Sequence, residues 1–154
     1  MKYHAIGARF FLFGILLCSA WASGLCGKTE HAALSDAHHD AALLAQQFYE
    51  DVDHLTAVNK PEALRQADIL ARSLDRVREA EKKCTAAGAP RGKVAAWNYR
   101  QMLIHERVAF DDLALLRREL SLSTPQINHV VSMVADIARQ MDIAEEAHCD
   151  CRAT

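Results

Sequence analysis

The residues of this chain best equipped for chemistry gather at its last ten positions. There "EEAHCDCRAT", Glu145 to Thr154, sets His148, Cys149, Asp150 and Cys151 in succession. Two cysteines one residue apart, interleaved with an imidazole and a carboxylate, suit three chemistries: soft-metal ligation by thiolates, redox exchange, or the receiving ends of two disulfides. A ring closed between Cys149 and Cys151 themselves would be tight and strained, so each is expected to take a distant partner. The choice therefore depends on Cys26 and Cys84 and on the elements that deliver them.

Histidines offer a second set of donors. His31, His38 and His39 lie early in the first amphipathic segment, and His148 ends the last. His38, His39 and His148, with Asp36, Asp40 and Asp150 nearby, form a candidate surface site for copper, nickel or zinc, with an affinity that falls as pH drops through about 6.5. The plainer expectation is a solvated helix terminus carrying unrelated histidines. His54 and His129 are placed to face one another near the opposite end. His105 stands level with Met141, a spacing a haem could use, although a core histidine held by a polar neighbour explains it more simply. Asp51-x-x-His54 and Glu145-x-x-His148 have the carboxylate-x-x-His spacing of di-iron bundles, but they fall at opposite ends and cannot form one centre. The sequence contains no nucleophile elbow, phosphate-cradling glycine loop or carboxylate pair of evident spacing. We therefore expect neither an enzyme nor a resident cofactor.

The elements that must position these residues follow a leader. Lys2 and Arg9 precede the uncharged run "FFLFGILLCSAWA" and the small-x-small pattern Ala20-Trp21-Ala22, which together predict a secretory signal peptide over 1–22, cleaved after Ala22. The apolar run from Phe10 to Ala22 is shorter than the roughly 20 residues a membrane span needs, so no transmembrane segment is expected in the mature chain. Leu17 before Cys18 departs from the small residue that precedes a lipidated cysteine. Without Lys2 and Arg9, sixteen basic side chains face twenty acidic ones, and this net negative charge disfavours a nucleic-acid partner. The product is expected in the periplasm or secreted. In such an oxidising compartment the even set Cys26, Cys84, Cys149 and Cys151 predicts two disulfides rather than a thiolate metal site.

Residues 23–154 are expected to form a single all-α domain. Four segments carry apolar residues at spacings of three and four, and none alternates as a strand would. The first runs over about 35–58, with Ser35 as N-cap and Leu34, Ala37, Ala41, Leu44, Phe48, Val52, Leu55 and Val58 on one stripe. The second, about 61–87, follows a capping box of Asn59 and Glu62 and buries Ala63, Ala67, Leu70, Leu74, Val77 and Cys84. The third, about 92–120, holds Trp97, Met102, Ala109, Leu113, Leu116 and Leu120. The fourth opens with Thr124 as N-cap and Pro125 at its first position, and carries Ile127, Val130, Val134, Ile137 or Ala138, Met141, Ala144 and His148.

Matched lengths and short loops predict an up-down-up-down four-helix bundle. In that topology the start of helix one and the ends of helices two and four share one end, so Cys26, Cys84, Cys149 and Cys151 converge and two disulfides staple it. The pairing is 26 to 149 with 84 to 151, or 26 to 151 with 84 to 149. The working surface is then an exposed helix face. A non-enzymatic protein-binding or adaptor module is expected, engaging a protein partner or itself, with Trp97, Tyr99 and Arg100 as anchors where exposed. The rival function is metal binding or metal sensing by the histidines near the cysteine end.

Overall fold

A computed structural model describes residues 28–88 and 93–150, the side chains of Lys28, Cys149 and Asp150 excepted. These residues form four helices, α1 (Lys28–Val52), α2 (Lys60–Ala87), α3 (Lys93–Ser121) and α4 (Ile127–Asp150), and no strand. The leader, Cys26 and Cys151 lie outside the described residues.

α1 begins well upstream of Ser35. "KTEHAAL" is rich in helix formers, and Glu30 in the first turn complements the positive end of the helix dipole, so helix propagates through the expected cap. Ser35 is consequently mid-helix, and its hydroxyl donates to Glu145 Oε1 at 3.5 Å. The helix ends at Val52, where "DVDHLTAVN" supplies Asp, Thr and Val, which hold a helix poorly. Pro61 falls in the first turn of α2, where its missing N–H has no partner to lose. The capping box does not form: Asn59 makes no side-chain cap bond, and Glu62 pairs with Arg65 instead. At the start of α4 the acceptor is Glu119 Oε1, which takes the Gln126 N–H at 2.7 Å, rather than Thr124.

Side-chain pairs establish that neighbouring helices are antiparallel. Asp40 meets Arg76 and Asp51 meets Gln66 between α1 and α2; Tyr99 meets Glu81 and Asp68 meets Arg117 between α2 and α3. Likewise His105 meets Gln140 and Glu119 meets His129 between α3 and α4, while Ser35 meets Glu145 between α1 and α4. Each helix packs on two neighbours, with α2 against α3 the least intimate face.

The core runs the length of this square. Leu34, Phe48, Leu70, Leu74, Met102, Leu116, Leu120, Ile137 and Met141 are its large buried side chains, and Ala41, Ala45, Ala63, Ala67, Ala109 and Ala144 let the helices approach closely. Each large aliphatic side chain buried this way contributes about 1.5–3 kcal/mol. The expected seams of α2 and α4 are buried as read, Ile127 only partly. In α3 one assignment fails, because Trp97 is 60 % exposed while Ala95 is buried. Met102, Glu106, Ala109, Leu113, Leu116 and Leu120 define the buried line of α3, and Trp97, five residues before Met102, lies well around the helix from it. Among the described residues no helix is long and apolar enough to cross a membrane.

Candidate functional site

The end of the bundle where α1 begins and α4 finishes has a polar interior. His31 and His38, two turns apart on α1, and His148, in the last turn of α4, are buried, at 4 %, 0 % and 0 % exposure. The His31 and His148 ring centroids lie 3.9 Å apart with planes inclined at 41°, and the His38 ring meets His148 edge-on at 5.8 Å. α3 contributes Glu106, also buried, whose Oε1 stands 2.7 Å from His38 Nε2. Burial pushes the Glu106 carboxyl above the ordinary glutamate range, and the His38 hydrogen bond pulls it back down. His38 Nδ1 is buried and meets no hydrogen-bond partner among the described residues. α2 brings Cys84 to the same end, fully buried.

This overturns the expectation of a solvated terminus with unrelated histidines. Starting α1 at Lys28 extends the helix over His31 and puts it in register with His38, and both project inward. Of the three predicted metal ligands, the structure brings together His38 and His148 and gives His39 another neighbour. His39 Nδ1 lies 3.5 Å from Glu145 Oε2, on the part-exposed seam between α1 and α4. No three histidine, cysteine or carboxylate groups among the described residues already stand in ligating geometry.

A second polar cluster was not legible in the sequence. Asp112 of α3 and Asp136 of α4 bring two carboxylates close enough for each to act on the other's charge. Asp136 is held below the ordinary aspartate range, chiefly by Arg139. Asp112 is pushed up to about 6, by burial first and then by the charge of Asp136. Next to them His105 Nδ1 lies 2.6 Å from Gln140 Oε1, the polar neighbour expected of a core histidine. Two residues far apart in sequence carry no spacing signal, and only the α3–α4 register pairs them.

In comparisons with known proteins, no family model, no curated protein and no solved structure matches this chain. The remaining sites therefore rest on geometry alone. His54 and His129 do not meet: His54 Nδ1 lies 3.1 Å from the Glu50 carbonyl on its own helix, and His129 lies 3.4 Å from Glu119. Tyr99 is partly buried rather than an open anchor. Its hydroxyl donates to Glu81 Oε1 at 2.8 Å and contacts Thr85 Oγ1 at 2.6 Å, and burial pushes it up to about 12.

The outer face of α3 is apolar. Val94, Trp97, Ile104 and Leu115, with Leu122 just beyond the helix, are 47–60 % exposed. Spacings of seven and eleven residues put Trp97, Ile104, Leu115 and Leu122 on one stripe, because seven residues are close to two turns and eleven to three. Lys93, Arg100, Arg107 and Arg118 are exposed along one flank of it. Near Leu122 the stripe opens into a shallow groove of about 450 Å³ that includes Leu115, His129 and Met133.

Proposed function

We propose that this chain is an exported, non-enzymatic binding module that docks an amphipathic helix of a protein partner along the outer face of α3. The stripe of Trp97, Ile104, Leu115 and Leu122 carries the reading. Large apolar side chains left in water on one helix face, with tryptophan and arginine among them, have the composition of a binding hot spot. Their spacing matches a helix laid alongside. The basic flank selects a partner whose helix has an acidic edge, whereas a second copy laid antiparallel would set arginines against arginines.

Export rests on the leader, residues 1–22, and places the protein in the periplasm or outside the cell. The two-disulfide staple among Cys26, Cys84, Cys149 and Cys151 belongs to the same proposal. What supports it is Cys84, fully buried at the end of α2 that lies beside the histidines and the end of α4.

Site-directed photo-crosslinking in the native host tests the docking surface. A crosslinker at Trp97 or Ile104 should trap one discrete heterologous protein, lost when Leu115→Asp is added, and a crosslinker at exposed Arg72 on α2 should not trap it. The same products from Arg72 and Trp97, or none from either, would remove α3 as the working face. A homodimer would replace the partner helix with a second copy.

A further inference from the structure

We infer that the buried histidine end of the bundle is a binding site for one divalent first-row transition cation, with His31, His38 and His148 as ligands and Glu106 orienting His38. The inference goes beyond docking by α3 and stands or falls separately.

The geometry of His38 points to it first. Its Nε2 faces a buried carboxylate oxygen at 2.7 Å, and its Nδ1 is buried without a hydrogen-bond partner among the described residues. A histidine that donates one ring N–H to a carboxylate is the common form of a metal-bound imidazole, since the carboxylate fixes the tautomer and raises the basicity of the other nitrogen. Leaving that nitrogen unsatisfied in a core is costly, and a bound cation would recover the loss. Glu106 supplies a buried carboxyl oxygen that holds the His38 ring in place.

Ring spacing comes second. With Zn–N near 2.0–2.1 Å, two imidazoles on a tetrahedral ion have centroids roughly 5 Å apart. His38 and His148 stand 5.8 Å apart, close to that separation. His31 and His148, at 3.9 Å, are nearer than co-ligands can be, so the His31 ring must swing away from His148 when the ion enters. His31 sits in the first turn of α1, where such a movement disturbs least of the core. Neutral imidazole donors select zinc, copper(II) or nickel over magnesium or calcium.

The exported protein, purified without reductant and titrated with zinc(II), copper(II) and nickel(II) separately, is the test. One equivalent should bind. His38→Gln and His148→Gln should each weaken binding at least tenfold, Glu106→Gln by 10- to 100-fold, and His39→Ala and His129→Ala by less than twofold. X-ray absorption of the zinc-loaded parent should count three imidazoles, a readout that needs no variant to fold. No stoichiometric uptake, retained affinity in both His38→Gln and His148→Gln, or fewer than three imidazoles on the zinc would each overturn the inference.

Discussion

His38 and Glu106 form a buried pair, and their energetic coupling can be measured. Removing Glu106 alone leaves His38 Nε2 without its buried partner, so Glu106→Leu should cost about 1–3 kcal/mol in urea unfolding of the metal-free protein. Replacing both residues with leucine should recover part of that loss, giving a coupling of about 0.5–3 kcal/mol in a double-mutant cycle. Asp112 gives a pH-dependent counterpart. Its folded pKa is raised to about 6, so the folded state binds the proton more tightly than the unfolded chain, whose aspartates titrate near 4. Its stabilising contribution is therefore present below about pH 4 and is lost as pH rises to about 6. Asp112→Asn should remove that loss: across pH 4–6 the stability difference between variant and parent should shift in favour of the variant. Asp136, with its lowered pKa, acts only below this window.

At the scale of the helices, Trp97 and Met102 make opposite predictions five residues apart. Met102 is fully buried, so Met102→Ala should cost about 2–5 kcal/mol, while Trp97, 60 % exposed, should tolerate Ala within about 0.5 kcal/mol. Chemical denaturation of the two variants checks both, and a large loss for Trp97→Ala would mean that the outer face of α3 is covered. Asn59→Ala belongs to the same experiment. A working N-cap would cost about 1 kcal/mol to remove, but Asn59 makes no side-chain cap bond and its loss should be within about 0.5 kcal/mol. Existence, order and approximate length of the helices were legible because apolar residues at spacings of three and four repeat over many turns. Ends were less so. Ser35 looks like a cap, yet the strong helix formers upstream outweigh it, and Glu62 can satisfy Arg65 as readily as the backbone of Asn59.

For the whole molecule, antiparallel connection by short loops makes one end the meeting place of the α1 start and the α2 and α4 ends. Under the staple proposed here, intact mass without reductant should fall short of the reduced chain by the four hydrogens of two disulfides. Reduction should then lower the unfolding midpoint markedly, each closed loop accounting for up to about 4 kcal/mol in a chain-entropy treatment. An unchanged midpoint after complete reduction would remove the staple as a source of stability.

The sequence by itself determined the all-helical class, the four-helix architecture, the buried lines of α2 and α4, and the delivery of His38 and His148 to the same end of the bundle, though not that they would meet. These are properties of periodicity and chain connection, and both can be counted along the chain. Only the tertiary structure decided which way the polar side chains face. One residue of shift on a helix turns a side chain by about 100°, enough to exchange core for solvent. That rotation puts His38 in the core and its neighbour His39 beside Glu145. The register of α3 against α1 and α4 then gives His38 its carboxylate and pairs Asp112 with Asp136.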